Sequence, residues 1–343
     1  MLDLLVAPHH WATAPMNVLA VTGRLPQRGR PGSLAPVARQ IESVRKQGVS
    51  VDVLELYGPK KLKYVTAWPR LLNRCRSVDI VHAHFGYSGW LALLQWQCPV
   101  VISFMGTDLL GNKVHGDQRS ATSRLVLRLN RFASERSNAV IVKSREMASV
   151  LTGLNPHVIP NGVNMTRFSP VERLAARARL GWPEEELVAL FPGCPTFPNK
   201  GYDIAKDAVS HAIRILGRSI ELKVLWGVAP DDVPLYMSAS NAMILASRQE
   251  GSPNVVKEAL ACELPVVATA VGDVPDLLAD AVGCHVCDRT AVALGEALAK
   301  ALILGRLTCG RTILTKLGLD EDSVATRVIA LYHAVLASKE ARV

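Results

Sequence analysis

Short apolar runs recur along the chain, each bounded by Gly, Pro or Ser and followed by a longer stretch with helical spacing. In the first half they read NVLAVT, VDVLEL, DIVHAH, PVVISF, AVIVKS and HVIP. In the second they read LVALFP, IELKVLW, NAMILAS, PVVATA and GCHVC. Most lack strict apolar–polar alternation, which marks strands covered on both faces. Such strands alternating with helices predict an α/β protein with parallel sheets. The two sets of runs predict two Rossmann-like domains with a cleft between them.

The division falls in IPNGVNMTRFSP (Ile159–Pro170), rich in Pro, Gly and Asn. The expected organisation is an N-terminal extension over 1–15, a first domain over 16–165 and a second over 166–321. The amphipathic helix of 322–343 is expected to pack back on the first domain.

Composition agrees with a globular chain of this size: 343 residues, 49% hydrophobic and 20% charged. Aromatics make up only 5%, so the core must be mostly aliphatic. Charge changes the picture more. Residues 1–165 carry 20 Lys and Arg against 9 Asp and Glu, a balance of +11, while the remainder carries 19 against 21. A basic first half predicts an anionic partner for that domain. No nucleic-acid recognition motif accompanies it, so an anionic membrane surface and ordinary solvated surface charge are the readings that stay open. The seven cysteines are odd in number and lie mostly in apolar surroundings, as expected of a reducing compartment. A lone C-x-x-C, Cys284 to Cys287, has no second ligand pair and predicts no metal. LDLLVA is too short for a membrane span and WLALLQWQCPVVISFM is interrupted, so a cytoplasmic location is expected.

The candidate chemistry sits in SRQEGSPNVVKEALACE, where Glu250 and Glu258 flank the start of an apolar helix. Ser252 is expected to cap that helix and Pro253 to occupy its first turn. The exposed first-turn N–H groups and the positive end of the helix dipole make an anion site, and Gly251 admits close approach to the backbone. Glu258 lies more than a turn inside, among Asn254, Val255, Ala261 and Cys262, where an ionised carboxylate needs donors. Glu250 follows the strand NAMILAS, at the strand edge where doubly wound sheets bind ligands. An anion site between two carboxylates suits a molecule with phosphates in its middle and hydroxyls at both ends, such as a nucleotide sugar.

This stretch resembles the E-x7-E signature of retaining glycosyltransferases of family 4, which have the GT-B fold. PGSLAPVARQIESVRKQG, DIVHAHFGYSG, PVVISFMGTDLLG, IPNGVNMTRFSP and NKGYDIA are similar to further blocks of that family, in order, from Met16 onward. The resemblance implies that Glu258 holds the ribose hydroxyls and that Glu250 contacts the donor sugar. It places Gly251, Ser252, Pro253 and Asn254 beside the sugar and diphosphate. It implies that Lys200 neutralises the diphosphate, that Gly32 and Ser33 reach the same phosphates, and that His84 faces the cleft. Glu250, Lys200 and His84 are thus the expected catalytic residues. Two positions depart from the family pattern. Cys194 stands where an Arg often assists the lysine, with Arg248 a candidate substitute, and Met105 stands where many members have a sugar-contacting His. The second domain is also short near the expected nucleobase side.

The resemblance implies transfer with retention of anomeric configuration from a UDP- or GDP-linked sugar, with no metal and no other cofactor. The acceptor it implies is a polysaccharide or lipid-linked glycan. Two basic stretches, GPKKLKYVTAWPRLLNRCR and RSATSRLVLRLNRFASER, suit either contact with the anionic inner face of a membrane or two solvated helices around a soluble acceptor. A non-catalytic GT-B-like binding subunit and a nucleotide-sugar epimerase are the competing expectations.

Overall fold

The computed structural model describes residues 16–26, 34–59, 62–111, 113–115, 118–119, 121–306 and 309–341. Its strands in chain order are β1 (Asn17–Gly23), β2 (Ser50–Leu56), β3 (Ile80–His84), β4 (Val100–Ser103), β5 (Lys113–His115), β6 (Gln118–Arg119), β7 (Ala139–Val142) and β8 (His157–Val158). They continue with β9 (Leu187–Phe191), β10 (Ile220–Val224), β11 (Ala242–Leu245), β12 (Val266–Thr269) and β13 (His285–Cys287). The first sheet has the order β2-β1-β3-β4-β7-β8 and the second β10-β9-β11-β12-β13, with every pair in both parallel. Among the described residues only the small β5–β6 hairpin is antiparallel. Two doubly wound α/β halves are what the apolar runs predict.

Successive side chains of β1 enter two different cores, as the period of two along a strand requires. Leu19 and Val21 pack with Ala67, Leu71 and Leu91 on one face. Val18 and Ala20 pack with Val37, Ile41 and Val44 on the other. That second core is completed by Val324, Val328, Leu331 and Tyr332 of the last helix, Glu321–Glu340. The chain therefore crosses between the two sheets twice. The crossings run side by side, with Val163 N–H donating to Leu319 O at 2.9 Å and Glu321 N–H to Val163 O at 3.2 Å. Gly162 is required there, since a Cβ would lie 2.7 Å from Glu321 Cα.

Among the described residues no helix is long and apolar enough to cross a membrane.

Candidate active site

The site is built at the C-terminal edge of the second sheet. Beyond β11 the loop 246–253 is pinned to the turn Pro198–Lys200. Arg248 N–H donates to Asn199 O at 2.8 Å and Asn199 Nδ2 to Gln249 O at 3.0 Å. This places Lys200 Nζ 2.6 Å from Glu250 Oε1, a charge-assisted contact between two partly buried side chains. Gly201, at φ +68°, lets the chain turn directly from Lys200 into the helix Tyr202–Leu216.

The helix after Glu250 is shorter than its sequence suggests and is capped differently. It spans Asn254–Ala261, and Pro253 occupies the capping position with no side-chain cap. Ser252 does not cap it. Its hydroxyl donates to Asp273 Oδ2 at 2.6 Å and accepts from Lys257 Nζ at 2.7 Å. Lys257 is fully buried and also donates to Asn161 O at 2.9 Å. Burial lowers the Lys257 pKa and raises that of Asp273, and each opposes the other's shift through its charge. Ser252 is thus a structural bridge that fixes the loop beside Glu250. Asn254 keeps a buried Oδ1 with no hydrogen-bond partner at the helix start. A buried acceptor left open at this point is available to a ligand hydroxyl.

Glu258, one turn further, meets the other domain. Arg39 of the helix Ala35–Lys46 donates to Glu258 Oε1 through Nη1 at 2.9 Å and Nη2 at 3.0 Å. The sequence rule that a carboxylate in this apolar setting needs donors holds, and its donor lies 219 positions away along the chain.

The first domain closes over Gly251. A Cβ on Gly251 would lie 2.8 Å from Met105 O and 3.0 Å from Gly106 Cα. Half-buried Asp108 shapes that loop by accepting from Met105 N–H at 3.0 Å and Gly106 N–H at 2.9 Å. Glu146 of the first domain accepts from Gly272 N–H at 3.2 Å across the same gap.

His84 does not open on the cleft. It is 1% exposed, stacks 4.2 Å from His82 and lines a small internal cavity with Gln40 and Tyr332 under the last helix. The reason is its register: β3 is buried along its whole length, so its last side chain enters the core. Burial, helped by the charge of Lys143, lowers its pKa to about 3, which keeps the ring neutral. Lys143 is itself fully buried and donates to Ile159 O at 3.2 Å. Burial first, then the nearby Lys257 charge, pushes its ammonium down to about 7.

Cys194 is buried, with its thiol 3.1 Å from Thr196 Oγ1, so it offers no charge to Lys200. Arg248 is exposed beside the loop. A second guanidinium, missed in the sequence, is Arg289: its Nε donates to Ala246 O at 2.9 Å, and its Nη2 lies 2.8 Å from where a Gly201 Cβ would be. Gly32 and Ser33 lie outside the described residues. Among the described residues no group of three or more His, Cys, Asp and Glu side chains is placed to hold a metal ion.

The outer face of the first domain carries two adjoining cavities. One of about 920 Å³ is lined by Tyr64, Trp68, Tyr87, Trp90 and Leu94, with Lys63 at its edge. The other, of about 720 Å³, shares Trp90 and Leu94 and adds Trp96, Phe132, Arg136 and Lys339. Trp68, Leu94, Trp96, Leu129 and Phe132 are all exposed, an apolar patch with basic residues along its margin.

Residues 22–167 match the family model Glycosyltransferase Family 4, and residues 194–303 match Glycosyl transferases group 1. The chain is 28% identical over 313 residues to a D-inositol 3-phosphate glycosyltransferase of Streptomyces bingchenggensis, covering 76% of this chain and 66% of that one. It is 28% identical over 242 residues to the putative teichuronic acid biosynthesis glycosyltransferase TuaC of Bacillus subtilis, covering 65% and 61%. The chain thus spans about two thirds of the length of these curated relatives. Among solved structures, sucrose-phosphate synthase of Thermosynechococcus elongatus superposes with a TM-score of 0.74 at 18% identity, over 94% of this chain and all of that one. Anabaena HepE in complex with UDP and glucose superposes at 0.70 and 17% identity, over 93% of this chain and all of that one.

Proposed function

This chain belongs to glycosyltransferase family 4 and has the GT-B fold, and we propose that it moves a sugar from a nucleoside diphosphate to a glycan or lipid-linked acceptor with retention of anomeric configuration. The observation that carries this reading is the Lys200–Glu250 contact at the start of the Asn254–Ala261 helix, with Glu258 one turn beyond. Lys200 and the first-turn N–H groups face charge that grows on a departing diphosphate, the place where preorganised donors contribute most to rate. Glu250 contacts the sugar and Glu258 the ribose. Arg289 and Arg248 add positive potential near Lys200, in the place of the arginine that Cys194 replaces.

In the proposed step the bond between the anomeric carbon and the phosphate oxygen breaks, and the acceptor oxygen bonds to that carbon from the same face. The acceptor's proton passes to the leaving phosphate oxygen. No protein base and no metal is needed. His84, buried and neutral, supports the strand end and takes no part in proton transfer. UDP- or GDP-linked sugars are the donors we propose; HepE, a neighbour in fold, is solved with UDP and glucose.

The aromatic cavities and their basic margin support an acceptor tied to an anionic membrane face, with the apolar side chains seated among lipids and the cations at the headgroups. The test is transfer from each donor to a lipid-linked glycan in vesicles, with the product's anomeric configuration read by NMR. Product of inverted configuration would overturn the retaining mechanism.

A further inference from the structure

The Arg39 guanidinium faces three separate segments. Its two Nη atoms bond one oxygen of Glu258, its Nε lies 3.9 Å from Glu321 Oε1, and its Cζ stands 6.0 Å from the Phe168 ring centre. Glu321 is held by Asn164 Nδ2, which donates to its Oε2 at 2.9 Å. Phe168 is buried in the segment that leads into the second domain, and Glu321 begins the helix that returns to the first. Arg39 therefore stands where both crossings and both domains meet.

The manner of bonding matters as much as its place. An arginine fork can grip both oxygens of a carboxylate. Here both prongs go to Oε1, and among the described residues no hydrogen bond reaches Glu258 Oε2. Among the described residues one oxygen is held and the other accepts no bond. A ribose diol brings two hydroxyl donors, which suits a carboxylate whose orientation is already set.

We propose that Arg39 is a positioning residue of the donor site, holding Glu258 so that its free oxygen receives the ribose hydroxyls only when the two domains are closed. The inference rests on the reading of Glu258 as the ribose ligand. It makes the ribose subsite a property of both domains, although the carboxylate belongs to one. The diphosphate subsite at Lys200 is independent of Arg39, so its contribution is left intact when Arg39 is removed.

Affinity for a ribonucleoside diphosphate and its 2′,3′-dideoxy counterpart, measured by calorimetry, separates these contributions. The base is whichever of uracil, guanine, adenine or cytosine binds the wild type most tightly. The wild type should prefer the ribonucleotide by about tenfold or more, the value of hydrogen bonds to a charged group. In Arg39→Met the preference should fall to about twofold or less, while affinity for the dideoxy compound stays near wild type. Arg39→Lys, which keeps the charge without the fork, should restore part of the preference. An undiminished preference in Arg39→Met would overturn the inference, as would tighter ribonucleotide binding, which would make Arg39 a competitor of ribose. Glu258→Gln serves as the control. If it loses the preference and Arg39→Met does not, the inference alone fails; if it keeps the preference, the ribose reading fails and the inference with it.

Discussion

Lys200 and Glu250, 50 positions apart in sequence, stand 2.6 Å apart at the edge of the second sheet. The pair fixes the Lys200 ammonium where the proposed donor would bring its diphosphate, with both side chains partly buried. On the proposed function, a donor arriving between them would exchange one anionic partner of Lys200 for another.

Replacing Lys200 by Met should therefore slow transfer by about 10²–10³-fold, the loss seen when one preorganised donor is removed from a site of growing negative charge. The same variant should lose more affinity for nucleoside diphosphates than for monophosphates. Initial rates at saturating acceptor and calorimetric affinities check the two parts separately.

Glu250→Ala should leave nucleoside diphosphate affinity within about threefold of wild type if, as proposed, the group contacts the sugar. Transfer should fall well beyond that. Glu258→Ala should differ by lowering nucleotide affinity itself by about tenfold or more. Binding of the nucleotide alone, compared with turnover of the nucleotide sugar, distinguishes the two roles.

Gly251→Ala places a Cβ 2.8 Å from Met105 O, a backbone atom with no rotamer to escape through. The variant should fold with a stability loss of about 1–3 kcal/mol, as overpacked sites do. Its donor KM should rise, because the domains meet at this glycine. Chemical denaturation and donor saturation curves report both.

His84 gives a pH dependence of stability with a definite sign. Its pKa falls from 6.5 in the unfolded chain to about 3 when folded. Between those values the unfolded state binds more protons, so stability falls as pH drops from about 6.5 towards 3. His82, lowered by burial as well, acts in the same direction. His84→Asn should flatten the fall in Tm across this window, as measured by thermal unfolding at a series of pH values. Each pKa unit removed corresponds to about 1.4 kcal/mol.

Much of this was legible in the chain. Apolar runs without alternation gave both sheets, since a strand buried on two faces has no polar side to show. E-x7-E pointed to the candidate site because its two carboxylates belong to one loop and helix. What stayed hidden was long-range or depended on register. Arg39 meets Glu258 across the cleft, and nothing local to either residue announces the other. Ser252 looked like a cap, yet its hydroxyl turns to Asp273, because a buried carboxylate and the Lys257 ammonium compete more strongly for it than a backbone N–H. His84 looked like a cleft residue because it ends a strand, but which face it takes is set by a core that the last helix completes.

Trp96→Ser and Phe132→Ser should each reduce co-sedimentation with vesicles containing anionic lipid, without changing nucleotide affinity. Both side chains are exposed on the aromatic face, far from Lys200 in the fold. Raising salt should weaken the wild type's binding, since the basic margin acts through screened charge. Binding unaffected by either substitution would remove this face from the account.

The most direct measurement is thermal unfolding with UDP, GDP, ADP and CDP, each alone. A ligand at about 100 times its Kd stabilises a protein by roughly 2.7 kcal/mol, and for a domain of this size each kcal/mol raises Tm by about 2–4 °C. The account predicts that one nucleoside diphosphate gives a clear upward shift, which Glu258→Ala abolishes or greatly reduces. An unchanged Tm with all four, at concentrations up to several millimolar, would contradict a nucleotide-sugar donor site between Lys200 and Glu258.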